Sequence, residues 1–240
     1  MTDVTLPPGQ RRIDRFPRFG AHLGKPAPAV PADPVIEICG AVADDVDVPL
    51  ATLASLPRRV LDADFHCVAG WSATGLQWEG WRSRTSIGAS SSRRSRPTRW
   101  SHTSSSAAST GTSRSSLIED ALADDVLIAE HLDGEPLDSD HGAPARLVSP
   151  SQYGYVSTKH LCRVKVLTSE PTVGRVSRIV NVLLRDHPRA RVWKEERNGS
   201  LPPWFVRPVY RAIKTPLLYL CARGEGRSDR SPSHRTGRGS

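Results

Sequence analysis

The stretch Asp64-Phe-His-Cys-Val-Ala-Gly-Trp-Ser72 carries a cysteine between a β-rich run and a glycine-containing turn. A cysteine at a strand end, followed by such a turn, is well placed to present its sulfur into a cleft. The alternative is structural, because a lone cysteine in a strand commonly packs as a small hydrophobic residue. Alternation along the strand predicts that His66 points away from Cys67. The cysteines at 39, 67, 162 and 221 form no C-x-x-C pair, so support for a zinc site is weak.

Short strands and helices are predicted on both sides of this stretch. The residue pattern indicates strands over 35–42, 59–68, 126–129, 145–149 and 161–167, and helices over 48–56, 118–125, 173–185 and 204–222. Asp133-Gly134 is typical of a turn. Because strands and helices do not alternate regularly, the expected fold class is α+β, with mixed short β-sheets and peripheral helices.

Composition divides the chain into four parts. Residues 1–34, rich in proline, arginine and glycine, are expected to form an extended arm, and 35–168 the main domain. Residues 169–221 are expected to form a helical extension, and 222–240 a disordered basic tail.

The Ser/Arg-rich segment, residues 82–116, departs from the rest of the main domain. It contains 14 Ser, 7 Arg and 5 Thr among 35 residues, and its few apolar side chains predict that it buries no core face. Three interpretations are open: a disordered insertion, a basic loop that binds nucleic acid or a partner, and a stretch translated out of frame. GC-rich coding DNA read one base off tends to yield Ser, Arg, Thr, Ala and Pro.

Positive charge is concentrated in two places. The 240-residue chain has a net charge of +8, of which the Ser/Arg-rich segment supplies +7 and the 222–240 tail +3, leaving −2 for the remainder. The basic average therefore does not by itself predict a nucleic-acid-binding face. Four cysteines exclude a disulfide-stapled mini-fold, and no run reaches the roughly 20 apolar residues of a membrane span. Because residues 1–20 lack the apolar stretch of a secretory signal, the expected compartment is the cytoplasm.

A second group of motifs lies between residues 133 and 159. It reads Asp133-Gly-Glu-Pro-Leu137, then His141-Gly-Ala-Pro-Ala-Arg146, then Tyr153-Gly-Tyr-Val-Ser-Thr-Lys159. Cationic side chains beside hydroxyls and backbone N–H groups suit the binding of a phosphate. Taken alone, the same residues also fit a polar surface hairpin.

In their order and spacing, the cysteine stretch and these motifs resemble the sulfite oxidase-like family of molybdopterin-binding oxidoreductases, in its single-domain bacterial form. The resemblance covers roughly residues 30–81 and 117–168, and it implies that family's fold for the main domain. It also implies that Cys67 is the protein's molybdenum ligand, a role that suits a soft thiolate. His141 and Arg146 match family positions that contact the pterin.

The resemblance assigns further residues to the cofactor. Tyr153, Gly154, Ser157, Thr158 and Lys159 match the loop that holds the pterin and its phosphate, and Arg18 and Phe19 resemble the arm that contacts the pterin. The implied cofactor is molybdenum-molybdopterin, which would transfer an oxygen atom to or from a small substrate with a two-electron change at the metal. No C-x-x-C-H signature is present, so no haem is expected.

Two positions depart from sulfite oxidases. Ser72 stands where they have an arginine five residues after the cysteine, and Glu130 where they have a tyrosine near the metal. Because a sulfite dianion favours paired cations, we expect a small sulfur-containing substrate other than sulfite, and an unidentified electron-transfer partner. The family stretch that corresponds to 82–116 has about the same length, which favours two compensating frame changes over an insertion.

Other functions are weighed against this one. The alternative is an inactive remnant or a basic nucleic-acid-binding protein, although Trp100 is the only aromatic residue that the Ser/Arg-rich segment offers for base stacking. A third option is a cofactor-binding protein whose redox partner is another subunit. Aromatic and basic residues over 204–221 fit a helix packed on the domain, or a peripheral contact with a membrane or redox partner.

Overall fold

The computed structural model describes residues 5–14, 16–17, 28–88, 99–104, 113–169, 186–208 and 212. The strands and helices are β1 (Arg11–Ile13), β2 (Val35–Gly40), β3 (Val46–Pro49), α1 (Leu50–Leu53), β4 (Arg59–Asp62), β5 (Phe65–Cys67), β6 (Trp71–Ala73), β7 (Gln77–Arg82), α2 (Ser83–Gly88), β8 (Arg99–Ser104), β9 (Ser113–Leu117), α3 (Ile118–Ala121), β10 (Leu127–Leu132), β11 (Glu135–Pro136), β12 (Arg146–Val148) and β13 (Leu161–Leu167). Residues 203–208 are also helical.

A five-stranded sheet in the order β3-β2-β13-β8-β9 builds one half of the core. β13 runs parallel to β2 and antiparallel to β8. Alternate residues of β13 point into the core, because Leu161, Val164 and Val166 are buried while their neighbours are more exposed. They pack with residues of β2 and with Trp81 and Trp100 in one apolar cluster.

Two smaller sheets build the other half and position the candidate site. One has the order β11-β10-β7-β4, with β12 paired to β10; the other has the order β1-β6-β5. β1, in the predicted N-terminal arm, pairs in parallel with β6. A second apolar cluster, which includes Cys67, Trp71, Trp78 and Leu137, lies between these sheets.

This arrangement confirms the predicted α+β class and most of the predicted strands. The predicted strand over 59–68 is divided into β4, which pairs with β7, and β5, which pairs with β6 in a different sheet. The predicted helix over 48–56 is shorter, and Pro49 is its N-cap. Seven further strands were not predicted: β1, β3, β6, β7, β8, β9 and β11. The predicted helix over 173–185 lies outside the described residues.

The described part of the Ser/Arg-rich segment contributes structure to the larger sheet. β8 pairs with β13 and β9 pairs with β8, so this hairpin forms the sheet's edge. Trp100 lies opposite Val166 and is fully buried in the core cluster. The prediction that the segment buries no core face is therefore wrong at Trp100, because pairing with an apolar strand buries even a single large side chain.

The C-terminal extension differs from the predicted helix. Residues 186–202 form turns and two isolated bridges, Gln152 with Arg191 and Asp186 with Asn198. Proline at 188 and 202 and glycine at 199 disfavour a continuous helix. Over the part of the chain that is described, none of the helices has the length and apolar character needed to cross a membrane.

Candidate functional site

Cys67 ends β5 and begins a tight turn into β6. The Gly70 backbone N–H donates to the Cys67 carbonyl oxygen (2.9 Å), and Gly70 has a φ of 94°, which glycine adopts without a side-chain clash. The Cys67 side chain is 9% exposed and belongs to the apolar cluster with Trp71 and Trp78. The predicted strand-end position of this cysteine is thus the observed one.

A buried hydrogen-bond chain fixes this turn to the N-terminal arm. The Gln10 side-chain amide donates from Nε2 to the Cys67 carbonyl oxygen (3.2 Å), and Ser72 Oγ donates to Gln10 Oε1 (3.2 Å). His66 Nδ1 lies 2.7 Å from Ser72 Oγ. Burial lowers the pKa of His66, with Asp64 opposing this effect, so the ring is neutral at pH 7.

The loop of the third motif meets β5 directly beside Cys67. The Gly154 backbone N–H donates to the His66 carbonyl oxygen (2.7 Å). A Cβ atom at position 154 would collide with the Phe65 ring, so this approach requires glycine. The structure therefore brings Gly154 and its buried neighbour Tyr153 against the cysteine strand.

Arg146 lies at the centre of the second and third motifs and is fully buried. Its guanidinium donates to the carbonyl oxygens of His141 (2.9 Å) and Ser157 (3.3 Å). Among the described residues, its Nε atom has no hydrogen-bond partner and no carboxylate forms an ion pair with the guanidinium.

Aromatic rings surround this cation. The Arg146 Cζ atom lies 4.9 Å from the ring centroid of Trp78, 5.4 Å from that of Phe65 and 5.6 Å from that of Phe16. Burial lowers the pKa of Arg146 to about 9, so the group remains charged at neutral pH. An unpaired buried charge costs several kcal/mol of desolvation, which favours an anionic partner at this position.

His141 joins the arm to the second motif. Its Nδ1 contacts the Asp138 carboxylate (2.8 Å) and its Nε2 contacts the Phe16 carbonyl oxygen (3.0 Å). Burial opposes ionisation of Asp138, but hydrogen bonds from the His141 side chain and backbone outweigh it and lower the pKa of Asp138. Both ring nitrogens of His141 are thus engaged by the protein.

The remaining predicted loop residues line the same region. Ser157 Oγ accepts a hydrogen bond from the Ser149 backbone N–H (3.1 Å), and the Thr158 carbonyl oxygen accepts one from the Leu147 backbone N–H (2.9 Å). Lys159 Nζ donates to the Asp140 carbonyl oxygen (2.5 Å). These bonds tie the loop to β12 and to the His141 turn.

Two predicted arm residues, Arg18 and Phe19, lie outside the described residues. Phe16, two positions earlier, reaches the site through its ring and its carbonyl oxygen. Two positions depart from sulfite oxidases. Ser72 is fully buried and belongs to the hydrogen-bond chain with Gln10, and Glu130 forms an ion pair with Arg58 (2.9 Å).

Sequence reasoning missed Arg197, a second buried arginine. Its Nη1 donates to the Val68 carbonyl oxygen (2.6 Å) and its Nη2 to the Pro8 carbonyl oxygen (3.3 Å), and its Cζ lies 5.0 Å from the Tyr153 ring centroid. It thereby joins the arm, the turn after Cys67 and the third motif. Nothing local predicts this role, because Val68 is 129 residues away in the chain.

Comparison with known proteins agrees with this geometry. The family model for the oxidoreductase molybdopterin binding domain matches residues 23–173, well over half of the chain. The chain therefore belongs to this family, which confirms the resemblance to sulfite oxidase-like molybdopterin-binding oxidoreductases.

Two curated relatives and one solved structure are similar to parts of the chain. The protein-methionine-sulfoxide reductase catalytic subunit MsrP of Pseudomonas syringae pv. tomato is 29% identical over 105 residues, 40% of this chain and 30% of that protein. The uncharacterized oxidoreductase YuiH of Bacillus subtilis is 29% identical over 126 residues, 52% of this chain and 61% of that protein. The sulfane dehydrogenase SoxCD from Paracoccus pantotrophus shares the fold, with a TM-score of 0.55 and 20% identity over 70% of this chain and 46% of that one. The chain thus spans less than two thirds of each relative.

The residues present fit a molybdopterin group. The pterin cofactor carries an anionic phosphate, and Arg146 is a buried cation with an unpartnered Nε. Gly142, at a φ of 113°, packs so closely on Lys159 that a Cβ would lie 3.0 Å from the lysine Cβ, so this turn keeps the two motifs together. The groups that contact Arg146 are therefore neutral, and the phosphate of the cofactor would supply the negative charge that they lack.

Proposed function

We propose that this chain is a molybdenum-cofactor oxidoreductase that transfers an oxygen atom to or from a small substrate. Sulfur compounds other than sulfite are the first class to test. The relative MsrP is named for the reduction of a sulfoxide, and its match supports this choice of class.

One observation carries the proposal: the buried, anion-free guanidinium of Arg146 between the His141 and Ser157 carbonyl oxygens. A fold that retains an unpaired interior cation gains nothing from it in stability. A ligand phosphate would complete its hydrogen bonds and balance its charge.

We assign the following roles within this proposal. Cys67 would be the protein's ligand to molybdenum, and His141, Arg146 and Lys159 would bind the pterin together with the Tyr153–Lys159 loop. The bound group supplies a two-electron change at the metal and the transfer of an oxygen atom. The chain orients the group through the Gly70 turn and excludes water with the aromatic rings around Arg146.

The surroundings of Ser72 support a substrate other than sulfite. Its hydroxyl is committed to Gln10 and His66, so this position offers a dianion neither a cation nor a spare donor. The electron-transfer partner and the cytoplasmic compartment remain predictions of the sequence, as does a peripheral contact through residues 204–221.

The experiment measures molybdenum per chain in full-length protein purified from a host that makes the cofactor. We compare the parent with Cys67→Ser, and use Cys39→Ser as the matched control, since Cys39 is equally buried but lies on β2 in the larger sheet. We expect a near-stoichiometric metal signal in the parent and control. Cys67→Ser should lose metal or change its absorption spectrum.

The outcomes separate the competing functions. A Cys67→Ser protein with the metal content and spectrum of the parent would contradict the assigned ligand. A folded parent without molybdenum would favour the inactive remnant. That alternative has its own support, because the buried Ser116 hydroxyl and Trp100 Nε1 in the β8–β9 hairpin find no hydrogen-bond partner in the described part of the chain. Nucleic-acid binding would instead show an affinity that falls steeply with salt.

A further inference from the structure

A second cleft lies on the face of β5 opposite the Cys67 side chain. It has a volume of about 510 Å³, and five separate parts of the chain contribute to its walls. Three carboxylates, Asp62, Asp64 and Asp125, line it together with His66 and Trp193. A cleft of this size suits a small organic group. His66 lines the cleft, whereas Cys67, the next residue along β5, does not.

The three carboxylates give the cleft an uncompensated negative charge. Asp64 Oδ1 accepts a hydrogen bond from the Gly75 backbone N–H (2.9 Å), and Asp62 Oδ1 accepts one from Gln77 Nε2 (3.1 Å). These donors are neutral. Within the ranges that the structure describes, neither lysine nor arginine forms an ion pair with any of the three carboxylates. A cation is therefore the occupant that their charge favours.

Trp193 distinguishes an organic cation from a metal ion. Its side chain is 57% exposed although it lines the cleft, and the face of an indole attracts an organic cation through its quadrupole. By contrast, no group of three His, Cys, Asp or Glu among the described residues is placed to hold a metal ion. The combination of carboxylates with an indole is thus suited to an ammonium or guanidinium group.

His66 adds a requirement for an N–H donor. Gln10 donates its amide nitrogen to the Cys67 carbonyl, so its oxygen faces Ser72, and Ser72 uses its only hydrogen on that oxygen. Ser72 Oγ must then accept from His66 Nδ1, which leaves Nε2 as the unprotonated nitrogen. The His66 ring is more than nine-tenths buried, and Nε2 has no hydrogen-bond partner in the described part of the chain. It is an acceptor available to a molecule in the cleft.

We propose that this cleft binds an organic cation that carries N–H groups, a guanidinium or a primary ammonium. The carboxylates supply the charge, Trp193 supplies a face for the cation, and His66 Nε2 accepts one hydrogen bond. The same group occurs on free small molecules and on basic side chains of peptides. The proposal does not require the oxygen-transfer activity.

Ligand-observed NMR titration of the full-length protein tests the proposal. The probes are methylguanidinium, its neutral analogue N-methylurea, and the peptide acetyl-Gly-Arg-Gly-amide. We expect saturable binding of methylguanidinium, weakened by added salt, and no saturable binding of N-methylurea. Trp193→Leu should weaken binding about three- to fivefold, the size of an exposed cation–π contact. Asp125→Asn should weaken it as well, and Trp204→Leu, an exposed tryptophan on the 203–208 helix, should not.

The outcomes either support or overturn the site. Equal binding of N-methylurea, an absence of saturable binding by both cationic probes, or insensitivity to both Trp193→Leu and Asp125→Asn would overturn it. Binding of methylguanidinium alone would identify a free small molecule as the ligand. Binding of the peptide as well would extend the ligand class to basic side chains. A molybdenum-free protein would leave these titrations unaffected, so this test is separate from that of the proposed function.

Discussion

The region around Arg146 and the β8–β9 hairpin both bury polar atoms without partners, but the two cases differ in meaning. Arg146 Nε is flanked by two motifs that converge on the cysteine strand, so a bound anion would complete the arrangement. Trp100 Nε1 and the Ser116 hydroxyl lie at the edge of the larger sheet among apolar side chains. A buried polar group without a hydrogen-bond partner therefore indicates a ligand site only where other polar or charged residues converge on it.

The largest effect is expected at Arg146. The substitution Arg146→Met should lower cofactor affinity by about 30- to 5000-fold, which corresponds to the loss of about 2–5 kcal/mol when one partner of a buried charge pair is removed. The cofactor-free protein should be as stable as the parent or more stable, because an unpaired buried cation is removed. Molybdenum content and urea unfolding measure the two effects.

The control for this variant is Arg163→Met, which removes an exposed arginine that is paired with Glu37 at 2.6 Å. It should retain the cofactor. A cofactor-free Arg146→Met protein that is strongly destabilised would show that the arginine serves folding, and the contrast between the two regions would then be lost.

The next largest effect concerns the hairpin itself. Trp100→Ala should destabilise the protein by about 3–5 kcal/mol, since it empties a fully buried indole from the core cluster. Trp204→Ala, at 74% exposure, should change the free energy of unfolding by less than about 0.5 kcal/mol. Urea denaturation compares them. Equal stability of the two variants would mean that β8 does not pack on the core.

Substitutions of two buried serines should change the free energy of unfolding by smaller amounts and in opposite directions. Ser116→Ala should raise the free energy of unfolding by about 1 kcal/mol, because the hydroxyl it removes is desolvated without a hydrogen bond. Ser83→Ala should lower it by about 1 kcal/mol, since Ser83 Oγ donates to the Ala121 carbonyl oxygen (2.7 Å). Thermal unfolding of both variants is the measurement, and destabilisation in both would contradict the distinction.

The smallest effect lies at the rim of the Arg146 region. The pKa of Asp138 is lowered in the folded state, so its stabilising effect is present above its unfolded value of about 4 and is lost as the pH falls through the folded value. Asp138→Asn should therefore cost less than about 1 kcal/mol at pH 7, given its exposure, and less still at pH 2. Urea unfolding at both pH values checks this, and an undiminished cost at pH 2 would contradict it.

The buried Ser116 hydroxyl, which has no hydrogen-bond partner among the described residues, also supports an altered reading frame in this segment. We propose that the Ser/Arg-rich segment results from two compensating frame changes, near residues 81 and 116, in a region of otherwise family-like length. Position 116 on β9 is buried opposite Trp100 of β8, where an apolar residue would pack and this segment supplies serine. Resequencing the coding DNA tests this proposal, and an unbroken frame would contradict it.

The sequence predicts those features whose cause is local. β13 matches its predicted bounds, because alternating apolar residues are visible within seven positions, and the Asp133-Gly134 turn is observed with positive φ at both residues. The cysteine strand and the glycine at 154 were likewise identified from their motifs. Site residues assigned by resemblance remain predictions, although the structure brings most of those it describes together.

Features that depend on distant contacts were not predicted. The roles of Gln10 and Arg197 arise from carbonyl oxygens 57 and 129 residues away, and no short window of sequence contains both partners. The cleft beside Trp193 is assembled from five parts of the chain in the same way. β6 and β7 were missed because small and polar residues interrupt their apolar pattern.

The parallel pairing of β2 with β13 has a consequence for synthesis on the ribosome. Glu37 and Arg163, which form an ion pair across these strands, are separated by 126 residues. β2 is translated early, and the edge that pairs with β13 stays without hydrogen-bond partners until β13 has been synthesised. Until then, the side chains of Ile36 and Ile38 also lack the neighbours that bury them in the folded protein. During this interval the nascent chain exposes an unpaired strand edge and apolar side chains, which are the features that chaperones bind. A polypeptide terminated before residue 161 would leave the central position of the sheet vacant.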